Sequence, residues 1–180
     1  MKPSILTALA LTVFSGSIAA AELSFNNLTA GYEQLDFDCS SDCDGFGVGV
    51  SAELSDLFFV SGSAARYEDS LNAYSATLGI RTSGTQYAWY GELGLAKATV
   101  STPFGRINSD SELLVAGGIR GMVTPNLELD AGVAYVNADD ADPTFGVTGT
   151  WFFTDTVGVS LGLSGGNDLF GGGLGLRVNF

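Results

Sequence analysis

Gly171-Gly172-Gly173-Leu174-Gly175-Leu176-Arg177-Val178-Asn179-Phe180 ends the chain, and it decides how the rest is read. Successive side chains of a strand alternate across the pleat, so Leu174, Leu176, Val178 and Phe180 share one face. Gly173, Gly175, Arg177 and Asn179 share the other. The apolar row carries no charge and finishes on an aromatic ring. A bulky ring on a frayed, water-exposed chain end has little to pack against. In a membrane barrel the last strand closes against the first, and its terminal ring seats at the bilayer interface.

This strand resembles the C-terminal assembly signal of bacterial outer-membrane barrels, which end in Phe after alternating apolar residues. That resemblance makes Leu174, Leu176, Val178 and Phe180 the candidate assembly signal. It implies periplasmic chaperones and the barrel-assembly machinery as partners. The start of the chain agrees. Lys2 supplies a positive charge, Ile5 to Phe14 is apolar, and Ala19-Ala20-Ala21 offers the small residues a signal peptidase reads. Residues 1–21 therefore read as a signal peptide cleaved before Glu22, with residues 22–180 forming one barrel domain. The apolar stretch is shorter than the roughly 20 residues a helix needs to cross a bilayer.

Ten runs of alternating pattern follow, near 22–35, 44–54, 57–67, 72–82, 86–100, 109–122, 126–137, 143–153, 157–165 and 169–180. The second sets Phe46, Val48, Val50 and Ala52 against glycine, serine and Glu53. The fourth sets Tyr74, Ala76, Leu78 and Ile80 against Ser75, Thr77, Gly79 and Arg81. The seventh and eighth are as clear. The third, Leu57-Phe58-Phe59-Val60-Ser61-Gly62, is ambiguous in parity and leaves Arg66 unplaced. A soluble sandwich also has one apolar row per strand. Here, however, the polar rows hold Gly, Ser, Thr and Ala rather than the Lys and Glu of a water-facing sheet. The large aromatics also gather at strand ends: Tyr32, Phe46, Tyr74, Tyr135 and Phe145 at one end, and Phe59, Tyr87, Trp89, Trp151, Phe153 and Phe180 at the other. Two aromatic girdles around an aliphatic band suit a lipid-facing barrel. Short, turn-forming connections at 55–56, 83–85, 124–126 and 154–156 alternate with longer polar ones, including 101–108. The expected fold is an all-β, up-and-down antiparallel transmembrane barrel of ten strands, with eight as the alternative. In pattern the mature chain resembles the small outer-membrane barrels of the OmpX and OmpA membrane-domain type, which have eight strands. The resemblance implies the outer membrane of a Gram-negative bacterium.

The net charge of −13 argues against nucleic acid, whose phosphates need Lys and Arg. Carboxylates crowd the longer connections: Asp36, Asp38, Asp42, Asp44, Glu68, Asp69, Asp110, Asp139, Asp140, Asp142 and Asp168. They read either as a solvated rim or as a rim gathering divalent cations shared with lipopolysaccharide phosphates. Cys39 and Cys43, alone in the chain, read as a disulfide at a loop tip in an oxidising compartment. Arg81, Glu92, Glu112, Arg120, Glu128, Asp130 and Arg177 are expected inside the barrel, as salt bridges plugging the bore or as a charged constriction. Lys97, on the apolar face, is expected to reach lipopolysaccharide phosphates. Histidine is absent, which removes His-dependent nucleophiles and metal sites. No catalytic residue, cofactor or metal is implied. The expected role is a structural or surface-interaction barrel displaying short acidic loops to a host or cell-surface partner. The alternative is a narrow cation-favouring channel. Lipopolysaccharide and outer-membrane lipid complete the expected partners.

Overall fold

A computed structural model describes residues 25–36, 43–68, 71–82, 84, 86–102, 105–108, 110–138, 142–167 and 170–180. The expected signal peptide, Cys39 and hence its pairing with Cys43, and the loop carboxylates Asp38, Asp42, Asp69, Asp139, Asp140 and Asp168 lie outside these residues. Eleven strands run in order: β1 (Asn27–Asp36), β2 (Cys43–Glu53), β3 (Phe58–Tyr67), β4 (Leu71–Arg81), β5 (Tyr87–Thr102), β6 (Gly105–Asn108), β7 (Glu112–Thr124), β8 (Leu127–Val136), β9 (Thr144–Phe152), β10 (Val157–Gly165) and β11 (Phe170–Asn179). Ten of them pair antiparallel with their neighbours in a closed ring, which β1 and β11 complete. The ten-strand expectation therefore stands over the eight-strand alternative. The eleventh, β6, pairs only with the far end of β5, so 101–108 is a hairpin extending the wall rather than an open connection. No helix among the described residues is long and apolar enough to cross a membrane.

Alternation sets which way each side chain points. Phe46, Val48, Val50, Leu78, Ile80, Leu93, Leu95, Leu161, Leu174 and Leu176 are all exposed on the outer wall, while Thr29, Ser51, Thr77, Thr148 and Thr150 are buried within. This inverts a soluble fold, because the greasy rows face outward and the hydroxyls face the bore. Leu174, Leu176, Val178 and Phe180 all lie on that outer wall. The β1–β11 seam runs through ten register pairs, Asn27 opposite Asn179 to Asp36 opposite Phe170. At its middle Gly31 faces Gly175, and a Cβ on Gly31 would sit 2.9 Å from the Leu174 carbonyl oxygen. Only glycine lets the two backbones meet this closely.

The short connections define one end of the cylinder. Ser55, Thr124 and Thr154 each accept backbone N–H groups two and three residues on, at 3.0–3.4 Å. A serine or threonine hydroxyl in this position imitates a backbone turn, so the tight reversals follow directly from sequence. We call this the turn end, and the opposite one the loop end.

Candidate functional site in the barrel lumen

The turn half of the bore is filled. Arg120 on β7 faces Asp130 on β8 as its register partner. Its Nε and Nη2 donate to Asp130 Oδ2 at 2.9 and 2.8 Å, and the Tyr90 hydroxyl donates to Oδ1 at 2.8 Å. Glu128, wholly buried, lies 3.9 Å from Arg120 Nε and in the field of Arg177. Arg177 donates from Nε to Asn179 Oδ1 at 3.0 Å and faces the Phe152 ring at 5.9 Å. Arg81 pairs with Glu53 at 3.2 Å. Three guanidinium groups and three carboxylates thus balance within one layer, as burial of charge demands.

Phe25 closes this layer from the N-terminal side. Its ring is wholly buried, with the Arg120 guanidinium carbon 4.3 Å and the Arg81 guanidinium carbon 4.8 Å from its centroid. Phe59 packs at 4.4 Å and Tyr90 edge-on at 6.3 Å. The Phe25 N–H donates to Glu53 Oε1 at 2.5 Å, and the Glu53 N–H donates to Asn26 Oδ1 at 2.8 Å. These bonds hold the segment before β1 across the bore. Cation–π contacts of this desolvated kind contribute up to about 2 kcal/mol each.

Three buried aromatics share a device. Phe59 lies opposite Gly79, Tyr67 opposite Gly45 and Phe152 opposite Gly158. A Cβ on Gly79 or Gly45 would collide with the ring across from it, and one on Gly158 would meet Phe152 at 3.0 Å. Each glycine makes the space its ring fills, as when an aromatic covers a glycine on a neighbouring strand. This corrects the expectation that Phe59 belongs to the outer girdle. Phe59 is buried in the lumen and Phe58 takes the outward place, because pairing with Gly79 fixes the parity that the run Phe58-Phe59-Val60 leaves open.

The loop half is different. Glu92 is held by the hydroxyls of Ser61, at 2.8 Å, and Thr77, and among the described residues it makes no ion pair. Ser63 meets Ser75 at 2.7 Å, and the Tyr67 hydroxyl donates to Glu33 Oε2 at 2.7 Å. Glu112 sits on the lumen side at the outer end of β7, opposite Ala96. Among the described residues it joins no ion pair. A cavity of about 60 Å³ runs from the level of Arg177 toward Glu33, lined by Thr29, Glu33, Gly47, Thr148, Ser160 and Gly173 and bordered by the wall residues Tyr32 and Leu174. It has room for a few waters, at about 10–15 Å³ each.

Of the seven expected lumen charges, the structure therefore brings Arg120, Glu128, Asp130 and Arg177 into one cluster and sets Arg81 beside it. Glu112 stands apart, and Glu92 lies beside the cluster, in the field of Arg120 and Asp130 without a direct ion pair. Sequence reading missed Glu53, Phe25, Tyr90 and the Glu33–Tyr67 pair. Parity could have found Glu53, in step with Ser51, and Tyr90, in step with Glu92; Phe25 precedes β1 and carries no such signal. Among the described residues no group of His, Cys, Asp or Glu side chains is placed to hold a metal ion.

No protein-family model matches the sequence, and no curated protein matches it closely enough to count as a relative. Among solved structures it is similar to a "KdgM porin in complex with disordered oligogalacturonate", with a TM-score of 0.56, 9% identity, and coverage of 86% of this chain and 99% of that one. A second KdgM porin structure gives a TM-score of 0.53 at 9% identity, over 84% of this chain and 99% of that one. The N-terminal β-barrel domain of Pseudomonas aeruginosa OprF gives 0.46 at 16% identity, over 86% and 98%. At such identities the likeness is one of fold. The chain has the fold of the small outer-membrane β-barrels.

Proposed function

We propose that this chain is a non-enzymatic outer-membrane barrel, sealed at its turn end, that presents its acidic loop end to the cell exterior for structural or surface-interaction purposes. The observation that carries this reading is the packed layer of Phe25, Phe59, Tyr90, Arg120, Glu128 and Arg177. Phe25, Glu128 and Arg177 are each at most 1% exposed, and this burial supports a bore crossed by packed side chains at that layer. The turn end faces the periplasm, since both termini of an even-stranded barrel lie on that side. The loop Cys39–Cys43 disulfide, the assembly role of Phe180 and contact with lipopolysaccharide belong to this proposal.

A narrow cation-favouring channel is the second reading, favoured by the small-residue cavity and by Glu33, Glu92 and Glu112 above the plug. One similar structure is a KdgM porin in complex with oligogalacturonate, a polyanion. No described cation lines the loop half of this bore, so an anionic saccharide would meet only carboxylates there. Efflux of a small trapped cation from proteoliposomes tests the proposal. Sealed vesicles, indistinguishable from protein-free ones, support the structural role. Rapid efflux that discriminates cations from anions transfers support to the channel.

A further inference from the structure

Three of the described arginines, Arg81, Arg120 and Arg177, point into the bore. Two cations face outward from the barrel wall: Arg66 on β3 and Lys97 on β5, both exposed. They are neighbours. Arg66 pairs across to Asn72 on β4, while Lys97 pairs across to Tyr74 on the same strand. With strands about 4.8 Å apart and residues rising about 3.4 Å each, their Cα atoms stand roughly 12 Å apart with Tyr74 between them. Phe46, 70% exposed, lies beside Arg66 on β2 and stacks edge-on against Tyr32 at 5.3 Å.

The rest of the outer girdle lacks this composition. Tyr135, Phe145 and Phe170 ring the opposite wall near the same end, and no described cation faces outward among them. Among the described residues neither Arg66 nor Lys97 is ion-paired. Glu68 stands one pleat repeat beyond Arg66, so the cations are met first from the hydrocarbon side. A cation on a lipid-facing wall is costly unless its stem snorkels to a headgroup, and aromatic neighbours mark the depth at which headgroups begin.

We propose that Arg66, Tyr74 and Lys97 form a docking site for the phosphorylated headgroup of an outer-leaflet lipid, the lipid A part of lipopolysaccharide. The inference rests on the outer-membrane orientation proposed above. Charge complementarity selects the phosphate, and position selects the lipid. A net charge of −13 repels free anions from solution, whereas a membrane-held phosphate is delivered at the height of the two cations.

The test uses the full mature chain purified in detergent, with native mass spectrometry reading the lipid it retains. The probes are diphosphorylated lipid A and the same lipid enzymatically dephosphorylated. Wild type should retain the phosphorylated form about 30-fold better than an R66Q/K97Q variant, two cations each contributing roughly fivefold at an anionic lipid surface. The R66K/K97R variant should keep most of that retention, and millimolar inorganic phosphate should not compete. Equal retention by wild type and R66Q/K97Q, or equal retention of the dephosphorylated lipid, would overturn the site. Displacement by inorganic phosphate would overturn the lipid as its source. Gel mobility with and without boiling, run on the same samples, reports separately whether the barrel itself is folded, so failure of the barrel reading is distinguishable from failure of the site.

Discussion

The two halves of one bore, built from the same ten strands, solve the interior in opposite ways. At the turn end the lumen is crossed by long side chains, with three arginines laid against Phe25, Tyr90 and Phe152 and balanced by Glu53, Glu128 and Asp130. At the loop end hydroxyls and glycines line the wall, and the carboxylates there are held by Ser, Thr and Tyr rather than by guanidinium groups. A ten-strand barrel is wider than the eight-strand size at which side chains just fill the interior. Long ionic and aromatic side chains therefore have to span the space if it is to be closed. The contrast teaches that closure is local, and that stability and permeability should respond very differently to changes in the two halves.

The largest effect is expected at Arg120. Arg120→Ala leaves Asp130 and Glu128 buried without their cation and should cost about 3–5 kcal/mol, read from urea unfolding in lipid vesicles. Phe25→Ala should cost about 3 kcal/mol, the lower end for truncating a buried aromatic. If both changes cost less than 1 kcal/mol, the filled layer is not a structural unit. Next comes the outer wall, where Leu176→Arg should cost roughly 2–4 kcal/mol near mid-bilayer in the same assay. A neutral result there would place water, not lipid, against β11. Gly79→Val should cost about 1–3 kcal/mol by displacing the Phe59 ring. Pairing it with Phe59→Ala should recover part of the loss, and strict additivity would deny the contact. The smallest change belongs to the loop half: Glu33→Gln keeps one acceptor for Tyr67 and should cost about 1 kcal/mol or less.

Much of this contrast was legible in the chain. Strict alternation in β2, β4, β8, β9 and β11 assigns inward and outward rows residue by residue, because one pleat parity serves a whole strand. Arg120, Glu128, Asp130 and Arg177 follow from it, as does the outward row ending at Phe180. Three things did not follow. In β3, Phe58-Phe59-Val60 is apolar on both parities, and only the cross-strand glycine at 79 picks the inward ring. That pairing also turns Arg66 outward, to the same side as Lys97. Phe25 lies before the first strand, where no periodicity reports on a ring folded across the bore. The β5–β6 hairpin, finally, carries β5 to Thr102, past the expected end of the strand near residue 100, and polarity in 101–108 disguises pairing as a loop.

The proposed barrel has oil outside its wall and a turn end shut by the Phe25–Arg120 layer. Single-channel recording in planar bilayers tests it most directly, with wild type and Arg120→Ala inserted under identical conditions. A shut layer predicts a silent wild type at both polarities and discrete conductance steps once Arg120 is removed. Stable, long-lived open steps from the wild-type barrel would contradict it.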